Sequence, residues 1–102
     1  MTTPEGRLKK AIKALLDERG AFWSMIPGGA YGKTGDPDMV ACYRGRYIGI
    51  EAKAGTSQSK WQKIREAQIK ASGGIYIKAE SVDDVRIVLD DIDAGLEAHC
   101  DG

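Results

Sequence analysis

The stretch Asp38-Met-Val-Ala-Cys-Tyr-Arg-Gly-Arg-Tyr-Ile-Gly-Ile-Glu51-Ala-Lys53 decides the fold of this chain. β-Branched and aromatic residues flank the turn signal Arg44-Gly45, which is the pattern of a β-hairpin. A two-residue turn, or a symmetric four-residue version of it, sets the register so that Asp38 pairs with Glu51 across the two strands.

This register brings charged side chains together on one face of the predicted sheet. Directly opposed residues share a face, with their Cβ atoms roughly 4.5–5.5 Å apart. Because strand side chains alternate, Lys53 points to the same side as Glu51. Two carboxylates at this distance repel each other unless a positive charge lies between them. The hairpin therefore predicts two acids and a lysine around one spot suited to a hydrolytic metal site.

The residues before the hairpin predict a helix, a strand and a loop. Thr3 is the predicted N-cap of the helix, with proline in the first turn and apolar residues at helical spacing, and Gly20 ends it. A short strand is predicted over 21–26, with Trp23 on the buried face of the sheet. The glycine-dense segment 27–36 excludes regular structure.

A helix, a strand and a second helix are predicted after the hairpin. The first helix ends at Gly73-Gly74, and Trp61 is expected to anchor it in the core. Residues 75–77 form a strand too short to stand alone, so it should join the hairpin's sheet. Ser81 and Asp84 predict a capping box at the start of the last helix. The predicted inner stripes are Trp61, Ile64, Ala67 or Gln68, and Ala71 in one helix, and Val85, Val88, Leu89, Ile92 and Leu96 in the other.

The predicted order is α-β-β-β-α-β-α, a mixed sheet covered by helices in a single α/β domain over residues 1–102. A chain of 102 residues is large enough for one core. No run approaches the ~20 apolar residues of a membrane span, and the N-terminus lacks an apolar signal-peptide core. The two cysteines of the chain form neither a disulfide framework nor a zinc-binding pattern. We expect a soluble, cytoplasmic protein with free thiols and no membrane partner.

The charges are unevenly distributed along the chain. Basic and acidic residues number 15 each and cancel overall. Residues 1–79, however, hold 14 Lys or Arg against seven Asp or Glu, whereas residues 80–102 hold one Arg against eight acids. A basic body with an acidic C-terminal element still offers phosphates a positive face, which is compatible with nucleic-acid binding.

The motifs Gly35-Asp-Pro37-Asp38, Glu51-Ala-Lys53, Gln62 and Gly73-Gly74, in this order and spacing, resemble those of the PD-(D/E)xK nuclease superfamily. More narrowly, the chain resembles a stand-alone virus-type replication-repair nuclease (VRR-NUC) domain, from Glu5 to the last strand. The resemblance implies a restriction-endonuclease-like αβββαβ core. It also implies a nuclease that depends on Mg²⁺ or Mn²⁺ and acts, as a homodimer, on branched DNA such as four-way junctions.

The same resemblance assigns the site. Its metal ligands are Asp38, Glu51 and the Ala52 carbonyl, with Glu5 as an outer acidic partner, and its catalytic set is Asp38, Glu51, Lys53 and Gln62. Lys53 would either orient or deprotonate the attacking water. Two roles stay open: Asp36 either touches the metal or caps its turn, and Glu5 is equally well explained as a first-turn helix acid.

Basic and aromatic side chains around the hairpin are candidates for nucleic-acid binding. The predicted phosphate contacts are Lys33, Arg44, Arg46, Lys60 and Lys63. Such contacts position DNA without reading its sequence. Tyr31, in the glycine-dense segment, is a candidate to stack on a splayed base or to wedge a junction.

Two alternatives come from other functional classes. Residues 27–34 are a near miss to a phosphate-binding Walker A loop. The first required glycine is replaced by Pro27, and Lys33-Thr34 leads to Gly35-Asp-Pro37 and a strand instead of a helix. The stronger alternative is a non-catalytic DNA-binding or assembly module, which would bind DNA without cutting it.

Overall fold

The computed structural model describes residues 3–26, 35–53 and 57–95. Its elements follow the predicted order: α1 (Pro4–Glu18), β1 (Phe22–Met25), β2 (Met39–Tyr43), β3 (Arg46–Ala52), α2 (Lys60–Ala71), β4 (Ile75–Ala79) and α3 (Val82–Asp93). Leu96, predicted to face inward from the last helix, lies outside the described residues. None of the described helices is long and apolar enough to cross a membrane.

The strands form one mixed sheet in the order β1-β2-β3-β4. The first three strands are antiparallel, and β4 runs parallel to β3. Arg44 and Gly45 make the two-residue turn between β2 and β3 with φ angles of 49° and 79°, as a type I′ hairpin turn requires. The pairing runs from Tyr43–Arg46 to Met39–Ile50 and confirms the predicted register.

One face of the sheet packs against α1 and α3 and forms the core. β3 contributes Ile48, Ile50 and Ala52 to this face, and all three are buried. Trp23, half-buried on β1, packs against the same core, as predicted, and its indole N–H donates to Asp17 at 2.7 Å. Apolar burial of this kind is the main stabilising term of a folded core.

Helix caps fix where α1 and α3 begin. The Thr3 hydroxyl accepts a hydrogen bond from the Gly6 N–H at 2.9 Å, which confirms the predicted N-cap of α1. At the start of α3, the Asp84 carboxylate accepts from the Ser81 N–H at 3.1 Å, as a capping box requires.

The opposite face of the sheet packs against α2. Gly49 lies at the centre of this contact, because a Cβ at this position would come within 3.2 Å of both the Ile69 side chain and the Pro37 ring. The missing side chain lets a helix and the segment before β2 approach β3 together. Pro37 is buried there, which fixes the residue that follows it.

The predicted core position of Trp61 is wrong, because its side chain is 51% exposed. The face of α2 turned to the sheet carries Gln62, which bonds to β3, and Ile69, which lies over Gly49. Trp61 is one residue away and is rotated by about 100° from that face. The predicted stripe was therefore off by one position, and Ala67, Gln68 and Ala71 are exposed as well.

Candidate active site

Asp38 lies where the segment from the buried Pro37 enters β2. Its Oδ2 accepts a hydrogen bond from the Ala52 N–H at 2.8 Å, so its side chain spans the gap to the end of β3. The N–H and C=O of one residue in a strand point towards the same neighbour. The Ala52 carbonyl is therefore directed to the side of the sheet where Asp38 lies.

Glu51 is a buried carboxylate at the centre of the site, with only 3% of its surface exposed. Gln62 Nε2 donates to Glu51 Oε2 at 2.8 Å, and the Tyr76 hydroxyl donates to Oε1 at 3.4 Å. Both carboxylate oxygens are thus held, one from α2 and one from β4. The position of the side chain is fixed before any ligand binds.

The surroundings of Glu51 change its acidity. Burial raises the pKa of the Glu51 carboxyl to about 7, and repulsion from the Asp38 carboxylate adds to the rise. The positive charge of Lys53, the hydrogen bond from Tyr76 and the charge of Lys9 all act in the opposite direction on this pKa. The two acids therefore interact electrostatically, and two ammonium groups lie near enough to offset part of their repulsion.

Gln62 reaches Glu51 because a capping box fixes its helix turn. The Ser59 hydroxyl accepts from the Gln62 N–H at 3.2 Å, and Gln62 Oε1 accepts from the Ser59 N–H at 2.8 Å. With its oxygen used in the cap, the amide presents its NH₂ group to the sheet. Gln62 thereby joins the start of α2 to Glu51, as expected from the sequence.

Lys53 follows β3 directly, and its backbone N–H donates to the Ala79 carbonyl of β4 at 2.9 Å. Its side chain is half-buried, and its charge acts on Glu51. The structure thus brings Asp38, Glu51, Lys53 and Gln62 into one site. Glu5 is half-buried in the first turn of α1.

Two further side chains at this site were not predicted from the sequence. Lys9 reaches it from α1 and places its Nζ 3.7 Å from Asp38 Oδ1. Its spacing of four residues from Glu5 was an available signal, because both lie on one face of the helix. Tyr76 pairs with Gly49 across the parallel strands. No local pattern marks Tyr76, since its position depends on a pairing between distant segments.

Several predicted nucleic-acid contacts lie elsewhere. Arg44 is at the hairpin turn, where its guanidinium pairs with Asp93 of α3. Arg46 begins β3, about 16 Å along the strand from Glu51 at ~3.3 Å per residue. The structure does not bring these two arginines to the carboxylates. Lys60 and Lys63 are exposed in the first turn of α2, the helix that carries Gln62. Tyr31 and Lys33 lie outside the described residues.

Asp36 is drawn towards α2. Its Oδ1 lies 3.1 Å from Arg65 Nε, so Asp36 forms an ion pair with α2. Asp36 precedes the site residue Asp38 by two positions in the sequence. This contact favours a structural role in the turn before β2 among the roles left open by the sequence.

The donor set suits a hydrated hard cation. No three Asp, Glu, His or Cys side chains of residues 3–26, 35–53 and 57–95 gather into a metal-binding group. Glu5 is therefore not grouped with the two site acids. Asp38, Glu51 and the Ala52 carbonyl instead offer two carboxylates and one neutral oxygen. Mg²⁺ keeps several waters and often takes only one or two protein carboxylates, so this set fits it. Burial, and after it repulsion from Asp38, raises the pKa of Glu51, and a bound cation would offset both.

A helix, three antiparallel strands, a helix and a parallel fourth strand, with acids at the adjoining ends of β2 and β3, define a restriction-endonuclease-like fold. The chain superposes on a solved structure described as a VRR_NUC domain with a TM-score of 0.75 and 22% sequence identity. The match covers 87% of this chain and 97% of that chain. The fold is therefore that of a VRR-NUC domain, which confirms the fold that the sequence resemblance implied. No family model and no curated protein matches the sequence.

Proposed function

We propose that the chain is a metal-dependent nuclease that hydrolyses phosphodiester bonds in DNA. The observation that carries this proposal is the convergence of Asp38 and Glu51 at the ends of two paired strands, with the charge of Lys53 beside them. A buried carboxylate that is repelled by a second, partly exposed one is costly to a fold, so this arrangement is expected mainly where the two acids bind a cation.

In the proposed site, Asp38, Glu51 and the Ala52 carbonyl would bind Mg²⁺ or Mn²⁺. Glu5 of α1, which is not grouped with these two acids, would be an outer acidic partner and not a direct ligand. An ion held by these residues would lower the pKa of a bound water and would neutralise charge that develops on the phosphate. Lys53 orients the attacking water or accepts its proton.

The remaining residues of the site hold the Glu51 carboxylate in place and bind the DNA backbone. Gln62 and Tyr76 fix the two oxygens of Glu51, so that the carboxylate keeps one position during the reaction. Lys60 and Lys63, exposed at the start of α2, bind the phosphate backbone beside the site. Contacts of this kind read no base edges, so the cutting follows the shape of the DNA.

The proposed substrate is branched DNA, such as a four-way junction, and the proposed active form is a homodimer. A two-fold dimer places two sites in matching positions on a substrate of the same symmetry. Light scattering coupled to size-exclusion chromatography measures this directly, and a monomer at assay concentrations would contradict the dimer. We place the protein in the cytoplasm, and the free, exposed thiol of Cys42 suits that reducing compartment.

The first prediction concerns cleavage. With Mg²⁺ or Mn²⁺ present, we expect cutting of a junction in a panel of junction, flap, nicked, linear and single-stranded DNA. Asp38→Asn and Lys53→Met should each reduce the rate by at least about 10²-fold, because each removes a group at the reacting phosphate. Rates are measured from labelled substrates on denaturing gels.

Lys70→Met is the matched control, since it removes one positive charge at the far end of α2, where Lys70 pairs with Glu66. Its cleavage rate should stay near that of the wild type. If the folded protein shifts DNA on a native gel but leaves every substrate uncut with both metals, it is a DNA-binding or assembly module. ATP turnover that is lost in Lys33→Ala would instead support a nucleotide hydrolase.

A further inference from the structure

Lys9 lies at the proposed metal site but belongs to none of the roles assigned above. It projects from α1, whose residues Ile12 and Leu16 are fully buried in the core, so the backbone that carries Lys9 is firmly held. Its side chain is 32% exposed, and that of Asp38 is 24% exposed. The pair therefore meets at the mouth of the site, within reach of solvent ions.

The two oxygens of Asp38 have different partners. Oδ2 accepts the short hydrogen bond from the Ala52 N–H at 2.8 Å, whereas Oδ1 faces the Lys9 ammonium at 3.7 Å. The second distance is longer than a hydrogen bond, so Lys9 offers charge without a fixed bond. Oδ1 is thus the oxygen of Asp38 that a metal ion can take, and Lys9 occupies its approach.

Lys9 also lies within electrostatic range of the second acid of the site and attracts the Glu51 carboxylate. One ammonium group therefore offsets part of the charge of both carboxylates. A divalent ion bound by the same two acids would offset the same charge.

We propose that Lys9 is the resident counter-ion of the metal-free site, which a divalent cation displaces from Asp38 Oδ1 when it binds. This inference rests on the metal site proposed above. An ammonium ion and a divalent cation repel each other strongly at the distances set by one shared oxygen. Lys9 therefore competes with the metal and sets the metal concentration at which the site fills.

The test is a titration of the whole chain with Mn²⁺ in the absence of DNA, in which isothermal titration calorimetry measures the binding. Lys9→Met keeps most of the side-chain length but removes its charge. We expect it to bind Mn²⁺ roughly three- to tenfold more tightly than the wild type, because the competitor is gone. Lys9→Arg keeps the charge and should remain near the wild-type affinity.

Lys10→Met is the matched control, because it makes the same change in net charge at the neighbouring, exposed position. Salt screens a charge that points to solvent, so its Mn²⁺ affinity should change by less than about twofold. Thermal melts without metal show whether each variant is folded, and Lys9→Gln replaces Lys9→Met if the latter unfolds.

An affinity of the uncharged variant equal to or weaker than that of the wild type would overturn the role of Lys9 while leaving the metal site intact. A wild-type chain that binds no Mn²⁺ at all would overturn both the Lys9 inference and the proposed metal site. Loss of binding in Asp38→Asn, with tight binding in Lys9→Met, is the result that supports both.

Discussion

At the scale of single residues, the most informative group is Glu51, a carboxylate that the fold buries at a cost. An ordinary carboxyl group titrates near 4.5, whereas in the folded chain the pKa of Glu51 is about 7. Each unit of difference corresponds to about 1.4 kcal/mol between the charged and neutral forms. Burial and the charge of Asp38 therefore favour the neutral form of this carboxyl group in the folded chain.

The pH dependence of stability follows from this shift. As pH rises from 4.5 towards 7, the unfolded chain releases the Glu51 proton while the folded chain retains it. The free energy of unfolding therefore falls through this window, and the loss is complete above it. The same carboxyl group contributes no penalty at lower pH, where both states are protonated.

We therefore expect Glu51→Gln to stabilise the metal-free protein at pH 8 by roughly 1–3 kcal/mol and to have little effect near pH 4.5. Gln keeps the shape of the side chain and can still accept the hydrogen bond from Gln62. Urea denaturation at the two pH values, with a chelator present, measures the difference. Glu18→Gln, at the exposed end of α1, is the control and should be neutral at both. A destabilised Glu51→Gln at pH 8 would contradict the burial cost assigned here.

At the scale of elements, the site depends on a close approach between the segment before β2 and the first turn of α2. Gly35 has φ +88°, and a Cβ built on it would lie 2.4 Å from the backbone carbonyl of Trp61. Two residues later Pro37 covers Gly49, and Asp38 follows. The glycine thus lets the chain pass against the helix that carries Gln62, so both sides of the site are joined through backbone contact.

We expect Gly35→Ala to destabilise the fold by more than about 2 kcal/mol, because strain at positive φ adds to a clash with backbone that cannot move freely. Gly20→Ala is a matched control, since Gly20 has φ +75° but nothing within 4 Å of its added Cβ. It should show the cost of the φ angle alone, about 1–2 kcal/mol. Thermal and urea unfolding measure both. Equal losses in the two variants would mean that the contact with Trp61 does not constrain the fold.

The elements also show which features could be predicted from sequence. The hairpin register was predictable because a two-residue turn at Arg44-Gly45 leaves only one pairing that keeps the apolar residues on one face. The inner face of α2 could not be predicted, because the hydrogen bond from Gln62 to Glu51 sets the rotation of this helix, and no apolar stripe does. That bond joins segments far apart in sequence, so the exposure of Trp61 follows only from the folded arrangement. Tyr76 was missed for the same reason, whereas Lys9 had a local signal in its spacing of four residues from Glu5.

At the scale of the whole molecule, the acidic C-terminal element neutralises part of the basic body at a distance from the site. Arg19 of α1 donates to Asp90 and Asp93 of α3 at 2.7 and 2.8 Å, and Arg44 pairs with Asp93 as well. These pairs lie at the turn end of the hairpin. Lys60 and Lys63, by contrast, are exposed in the first turn of α2, the helix whose Gln62 bonds to Glu51.

This separation predicts how salt affects DNA binding. Each phosphate contact contributes a slope of about −0.9 to the logarithm of the binding constant against the logarithm of salt concentration. We expect the double variant Lys60→Met, Lys63→Met to reduce the size of the slope by about 1–2, whatever the sequence of the DNA. Arg44→Asn removes a charge already paired with Asp93 and suits the positive φ of the turn, so it should leave the slope unchanged. Fluorescence anisotropy with labelled junction DNA, from 50 to about 200 mM salt, measures both. A slope that becomes smaller with Arg44→Asn but not with the lysine variant would place the DNA at the hairpin turn. That turn lies about 16 Å or more from the carboxylates along β3. DNA binding would then be separate from the proposed catalytic site.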